Sequence, residues 1–467
     1  MLNLKEIAEV ERLEEQLESA KRSNYNKNKY YYQKNKIADL GINTPDSLRG
    51  LQIQLGWCKM AVDSIAERIN WRGYYNPEVS DEELNGATDW LNSIYKDNFF
   101  EGEQQLAQKD ALTTGTGFIS VGAGDVENGE PEILWIAENS STITLKYNKR
   151  KREVQSAFKI IAAKEKENDE AILWLPDATI ELAKNRAGDW VEVDRDEHEA
   201  GVVGVVPIFN NSDSKFVFGR SEITRSLRDL QASAMRTLVN AEINREYYAS
   251  PQRFLIGADP ADIELIDENG SKAIKTSAGS MIYLPYNNSD SISPDIKEFS
   301  ANSPSAVMEM VEPTARLAAR EMGVPPSYMG FDSVNPTSAD AINAAENALT
   351  KKADARIVQL KRTYKRLANV SMAYAGRDIP ENWKLIDTIF ERTETLTPSA
   401  AADRASKLNA IGVYDRALPD YQYRELGMSD AEIVELKSYL RTTATTNIID
   451  RLNEEVDEVE GDEVNGS

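Results

Sequence analysis

The chain has 467 residues, enough for about three domains of ordinary size. Its 77 acidic residues outnumber 54 Lys and Arg, and the formal net charge of −23 argues against a protein that coats nucleic acid over its whole surface. One cysteine, Cys58, and one histidine, His198, rule out an internal disulfide and a zinc site of about four Cys/His ligands, and leave any triad chemistry to His198 alone.

Residues 2–20 read as an amphipathic helix, with Leu4, Ile7, Leu13 and Leu17 near helical spacing. A basic stretch follows: Lys21, Arg22, Lys27, Lys29, Lys34 and Lys36 interleave with Tyr25, Tyr30, Tyr31 and Tyr32. Cations with aromatics suit a single-stranded nucleic-acid groove, but tyrosines packing on a neighbouring element are the better reading, since no RNP-type motif accompanies them. Residues 50–70 form a second helical pattern through Leu51, Leu55, Cys58, Val62, Ile65 and Ile69, which makes Cys58 a small buried hydrophobe. Residues 81–112 read as further helix.

From Leu112 the pattern becomes β: 117–121, 133–136, 142–147, 154–161, 171–175, 179–182, 190–193 and 202–209 are short runs with turn signals at Asn128–Gly129 and Gly188–Asp189. Such spacing predicts an antiparallel β-rich part. The glycines of Thr114–Gly117, with Gly122 and Gly124, bracket a β run and lack a following Gly-Lys-Ser/Thr, so they read as turns and strand ends rather than a phosphate loop. His198 lies in the charged run Asp194–Glu199 and reads as a solvated loop histidine.

A long helix of about 28 residues, roughly 40 Å, follows Gly219, with Ser221 as its expected cap and Ser250–Pro251 as its end. Residues 251–303 read as a β and loop insert with strands at Arg253–Ile256 and Ser280–Leu284; so small an insert is expected to have its sheet completed by neighbouring copies. Ser303–Pro304 opens another helix, in which Pro313 should kink or delay the first turns and which Gly323–Pro326 ends. Asn335–Ser338 caps the longest helix, whose apolar face runs from Ile342 through Tyr364 to Tyr374 and whose other face holds Lys351, Lys352, Arg356, Lys361, Arg362, Lys365 and Arg366. Thr397–Pro398 and the capping box Ser429–Glu432 start two more helices, and Glu454–Glu463 carries seven acidic and no basic residues, the composition of a disordered tail. No apolar run nears the ~20 residues needed to span a membrane and no signal-type core follows Met1, so the chain is expected to be cytosolic when made.

Glu321–Met322–Gly323–Val324–Pro325–Pro326–Ser327–Tyr328–Met329–Gly330, followed by Asn335–Pro336–Thr337–Ser338–Ala339–Asp340–Ala341–Ile342, resembles the portal proteins of tailed bacteriophages. Arg220–Leu230 leading to Ala249–Arg253, Ile411–Glu432, and the β motif Gly115–Val121 fit the same family, and the order of parts matches over nearly the whole chain. The resemblance implies an α+β, elongated subunit: an α/β wing at 1–220, a first stem helix at 221–250, a small β-containing clip at 251–303, a second stem helix at 304–323, a channel loop at 324–338, the long helix and its connection at 339–397, and a helical crown at 398–467. It implies a ring, usually of twelve copies, at one capsid vertex, through which the terminase large subunit packages double-stranded DNA and through which DNA leaves for the tail.

Its implied partners are further copies of the chain, double-stranded DNA, terminase, the major capsid protein and a head–tail adaptor, with no cofactor, metal or membrane. The implied site is the loop residues Tyr328, Met329, Phe331, Asp332, Ser333, Val334 and Asn335, with Lys351, Lys352 and Arg356 as candidate channel-facing cations. The place is the virion, after assembly in host cytoplasm. No catalytic residue is implied. A net acidic conduit suits this role, because each Lys or Arg contact to a phosphate adds drag. Two other readings stand beside it: a metal-dependent phosphate-ester hydrolase using Asp194 and Asp196, and a helical scaffold or adaptor without a channel.

Overall fold

A computed structural model of the chain describes residues 1–36, 50–78, 80–161, 169–249, 253–256, 266–267, 272–276, 279–284, 295–298, 304–330, 339–394, 398–410, 423, 426, 428 and 432–439. The fold is α+β and divides into two compact units, residues 1–334 with 345–390, and residues 335–344 with 391–467.

The first unit begins with α1 (Leu4–Tyr31). Asn3 starts it through a capping box: its side chain accepts from the Lys5 and Glu6 amides, and the Glu6 carboxylate accepts from the Asn3 amide at 2.8 Å. The helix runs eleven residues beyond its expected end and buries Val10, Leu13 and Leu17, while Leu4 and Ile7 of the expected stripe stay exposed. The basic, tyrosine-bearing stretch forms its last third from Lys21 to Tyr31, and Tyr32, Lys34 and Lys36 follow the helix end. Tyr30 and Tyr31 pack on the main core, Tyr31 donates to Asp63 at 2.9 Å, and Lys27 donates to the Thr114 carbonyl at 2.7 Å.

The 50–70 pattern condenses to α2 (Trp57–Ala66), with Cys58 fully buried and its thiol pushed by that burial up to about 12. The single helix expected over 81–112 is two, α3 (Glu82–Asp97) and α4 (Phe100–Thr114), broken where Phe99 takes a left-handed φ of 49°. Between α2 and α3, β1 (Trp71–Tyr75) pairs antiparallel with the distant β15 (Asp387–Phe390).

All eight expected strands of the next part are present: β2 (Thr116–Ala123), β3 (Ile133–Glu138), β4 (Ile143–Asn148), β5 (Glu153–Ile161), β6 (Glu170–Trp174), β7 (Ala178–Lys184), β8 (Trp190–Glu197) and β9 (Val205–Phe209). They form two antiparallel sheets, β3-β2-β9 and the meander β4-β5-β6-β7-β8. The α1 face carrying Val10 and Leu13 covers the meander at Phe158, Leu173, Ile180 and Leu182, and Phe118, Leu145, Trp174 and Val205 fill a separate apolar cluster. His198, just past β8, is not a solvated loop histidine. It is half-buried, with Nε2 3.3 Å from the Tyr374 hydroxyl and 3.4 Å from that of Thr179, because the end of the longest helix lies against the meander.

The helix expected after Gly219 is α5 (Arg225–Ala249), 25 residues and so ~37 Å long. Its cap is Thr224 rather than Ser221: the Thr224 hydroxyl accepts from the Leu227 amide at 3.1 Å and donates to the Glu321 carboxylate at 2.8 Å. Replacing Thr224 by Ala removes both bonds and should lower stability by about 1 kcal/mol, read as a shift in denaturation midpoint; Ser221→Ala serves as the comparison.

Past α5, five strands, β10 (Arg253–Ile256), β11 (Ile266–Asp267), β12 (Lys272–Thr276), β13 (Gly279–Leu284) and β14 (Asp295–Glu298), make one sheet in the order β11-β12-β13-β10-β14. The insert thus has a multi-stranded sheet within one chain, including a parallel β10–β13 pair that its short strands did not announce. Its edge strand β14 carries an exposed Ile296.

α6 (Pro304–Met322) follows, with proline at its first position and Pro313 accommodated inside. Its buried face is Val311, Ala315, Ala318, Ala319 and Met322; the alanines let it lie close against α5, which buries Leu227, Ala234, Met235, Val239 and Ile243. The contact of Thr224 with Glu321 sets the start of α5 beside the end of α6, so the two run antiparallel. Gly323, at φ 79°, ends α6 by donating to the Ala319 carbonyl.

α7 (Ala339–Tyr374) has 36 residues. Leu349, Ala353, Leu360, Tyr364, Leu367 and Ala368 bury its apolar face in the core formed with α2, α3, α4 and the β3-β2-β9 sheet. In the second unit, α8 (Pro398–Ala410) starts where Thr397–Pro398 predicted and buries Ala401 and Ala405. The expected capping box at 429–432 and acidic tail lie largely outside the described residues.

Candidate functional site

Of the expected loop residues, Phe331, Asp332, Ser333, Val334 and Asn335 lie outside the described residues. Tyr328 and Met329 sit in a 3-10 turn, Pro326–Met329, that Pro325 enters in extended conformation and Gly330 leaves at φ 74°. Met329 packs on the main core. The Tyr328 ring is half-exposed, but its hydroxyl donates to Glu346 at 2.6 Å. The other oxygen of Glu346 takes the Arg68 guanidinium at 2.6 Å, and both charged side chains are only 11% exposed. Burial and the neighbouring Glu346 carboxylate raise the Tyr328 hydroxyl above its ordinary pKa, so it stays a neutral donor. Three separate elements therefore meet at one carboxylate: the turn after α2, the turn after α6, and α7 behind the 331–338 segment.

The candidate cations divide. Lys351 is exposed on α7. Lys352 is not free to meet a ligand: its ammonium donates to the Glu321 and Met322 carbonyls at 2.9 and 2.7 Å, the last turn of α6, where a cation meets both unsatisfied carbonyls and the negative helix end. Burial, the larger influence, lowers its pKa. Arg356 is likewise engaged. It donates through Nε and Nη2 to one Glu222 oxygen at 2.9 and 2.7 Å, with side chains 11% and 8% exposed. A helical wheel places these residues on a polar face. It does not show that α6 and the start of α5 lie against that face, and the charges are met within the subunit.

The glycine segment is structural, as expected. Gly115 ends α4 at φ 111°, and a side chain at Gly117 would overlap the Ala107 carbonyl where β2 packs against α4. Asp194 and Asp196 are exposed on β8 opposite Glu181 and Thr179. Among the described residues no group of three or more His, Cys, Asp and Glu side chains could hold a metal.

Arg68, Glu222, Glu321 and Glu346 were missed in the sequence. Glu346 left a trace: it falls between Ile342 and Leu349 at helical spacing, an acid on an otherwise apolar stripe, which demands a buried partner. Glu222 left none, because its partner is 134 residues away.

The family profile described as "Phage portal protein, SPP1 Gp6-like" matches residues 13–417. The portal protein of Mycobacterium phage D29 is 26% identical over 423 residues, covering 88% of this chain and 83% of that protein. The portal protein of Mycobacterium phage L5 is 28% identical over 397 residues, covering 83% and 79%. Among solved structures, a chain of the virion of a native gene transfer agent particle aligns at 12% identity and a TM-score of 0.42, over 80% of this chain and 90% of that one.

Proposed function

The chain belongs to the phage portal protein family, SPP1 Gp6-like, and we propose that its copies close into a ring at one capsid vertex, a passage through which double-stranded DNA enters the head and later leaves it. The observation that carries this reading is the order and packing of α5, the small sheet, α6, the Gly323 turn and α7. An antiparallel pair of helices with a small sheet between them in the chain, and a Tyr328 turn whose hydroxyl bonds Glu346, support a reading in which each subunit has a rod, a docking tip and a loop facing the passage. Ring closure needs heterologous contacts between copies. Met310 and Leu317, exposed seven residues apart on the α6 face opposite its buried alanines, suit such a contact.

In this reading residues 324–338 face the DNA, the sheet of β10–β14 meets terminase and then a head–tail adaptor, and the wing meets the capsid protein. The family is structural, and no reaction is assigned to the chain. Twelve copies, virion residence and assembly in the host cytoplasm belong to the same proposal.

Negative-stain images of the full-length protein should show top views with a central hole. Deleting Phe331–Asn335 should leave those rings intact and block DNA filling of heads assembled with the variant, measured as protected DNA per particle. Variant rings that fill heads normally would remove 331–335 from the passage. A protein that forms no ring in any condition, alone or with its capsid protein, would overturn the reading as a whole.

A further inference from the structure

The most concentrated positive charge in this acidic chain is on none of the elements discussed so far. The β4–β5 hairpin turns through Lys149, Arg150, Lys151 and Arg152, four consecutive cations, all exposed. Among the described residues none of the four has an ion-pair partner, whereas several neighbouring cations do: Lys146 and Arg12 meet Glu9, Lys159 meets Glu138, Lys184 meets Glu14, and Arg195 meets Glu6.

The tip is also held in shape. The Asn148 side chain accepts from the Arg150 and Lys151 amides at 3.0 and 3.1 Å, and its carbonyl accepts from the Arg152 amide at 2.6 Å. Arg152 takes a left-handed φ of 59°, where glycine or asparagine would be the unstrained choice. Four like charges on a constrained turn repel one another, and a non-glycine residue in the left-handed region adds to the cost, so the four side chains carry a cost to folding.

A fifth cation adjoins it. Arg366 of α7 lies over the Tyr147 ring at 5.7 Å from its centre. It shares with Lys151 the wall of an open groove of about 460 Å³, in which Glu153 is the single carboxylate among the described residues.

We propose that this hairpin tip, with Arg366 beside it, is a wing site for the phosphate backbone of duplex DNA, separate from the 324–338 segment. The chemistry selects a phosphate backbone over an acidic protein segment. Protein interfaces centre on apolar and aromatic anchors with charges at the rim, whereas 149–152 contains no apolar residue; of the valines lining the adjoining groove, Val203, Val205 and Val370 are buried and Val202 is exposed. A run of cations without anchors recognises regularly spaced charge and no sequence, as backbone contacts do. On an otherwise acidic surface it would hold DNA locally and leave it free elsewhere.

The test uses the full chain with Lys149, Arg150, Lys151 and Arg152 all replaced by Gln, and a fluorescent duplex of about 30 base pairs titrated at several salt concentrations. Each phosphate that the variant no longer neutralises flattens the slope of log affinity against log salt by about 0.9, so the expected change is about 3 to 4, with affinity at least tenfold lower at low salt. Affinity and slope equal to wild type would overturn the proposal. So would a polyglutamate probe that binds wild type as tightly as the duplex and fails to bind the same variant, since that would make the tip an acidic-protein site.

If the quadruple variant melts early, Arg150→Gln and Lys151→Gln singly carry the test, each expected to flatten the slope by about 1. Binding is read on isolated subunits as well as rings, so a failure of ring assembly is distinguishable from a failure of this site.

Discussion

Replacing Trp71 by Ala is expected to lower stability by about 3–5 kcal/mol, the largest loss of any single core truncation in the first unit. Trp71 opens β1 and is fully buried. Its ring stacks on Tyr364 of α7 with centroids 3.9 Å apart and planes 8° apart, and meets Tyr74, Tyr95 and Phe100 edge-on at 5.0, 5.1 and 6.0 Å. Such geometries add to simple burial. Several polar groups of the cluster are also met: Tyr74 donates to the Tyr364 carbonyl, Gln108 to the Tyr364 hydroxyl, and Trp135 to Ser371, while the buried Gln108 Oε1 has no hydrogen-bond partner.

The indole is thus the packing bridge between the N-terminal helices and α7. Most hydrogen bonds at this position go to backbone, since Tyr95 and Gln104 both donate to the residue 71 carbonyl and the residue 71 amide donates to Gln104. An alanine keeps all three and loses only the bond from Nε1 to the Gly73 carbonyl. The expected loss is therefore packing, and Trp71→Phe should recover about half of it. Chemical denaturation followed by circular dichroism checks this; a loss below about 1 kcal/mol would mean the site collapses without a cavity.

Local periodicity made much of the fold legible. The eight strands β2 to β9, α5, α6, α7 and the start of α8 follow from alternation, helical stripes and proline at helix entries, and Cys58 was readable as a core residue from its place among Val62, Ile65 and Ile69. What failed depended on contacts distant in sequence. Ser221 looked like the cap because it precedes an acid, but its hydroxyl donates to the Thr113 carbonyl, and the helix begins after Thr224. Phe99 breaks a helix that no Gly or Pro marks, since the turn is fixed by Asn98 bonding the Ile94 and Ile133 carbonyls. His198 looked solvated because its neighbours are charged, and it is half-buried because Tyr374, 176 residues on, lies over it. The run Lys149–Arg152 stands in the sequence between two expected strands, but only the structure shows that its four side chains are exposed together on one turn.

Replacing Arg356 by Met should cost about 3–5 kcal/mol, the second large effect, and it decides between two roles for that side chain. If Arg356 were a cation turned to passing DNA, its removal would leave stability almost untouched and change only DNA handling. In the structure it closes a buried pair with Glu222, whose remaining side-chain partner is Asn210 at 3.0 Å. Taking away the guanidinium leaves a carboxylate 8% exposed with one hydrogen-bond donor, Asn210, and only the more distant charge of Lys352, and desolvation of that charge is the dominant penalty.

The double variant Arg356→Met with Glu222→Leu separates this from a loss of general packing. It removes the stranded charge, Asn210 keeps its bond to the Arg220 carbonyl at 2.7 Å, and stability should return to within about 1 kcal/mol of wild type or rise above it. Arg356→Lys should fall between, because an ammonium keeps the charge and loses the paired Nε and Nη2 geometry. Denaturation midpoints of wild type, the two single variants and the double variant form a double-mutant cycle, with a coupling of about 2 kcal/mol or more expected. A coupling near zero, with both single variants as stable as wild type, would return Arg356 to the set of candidates facing the DNA.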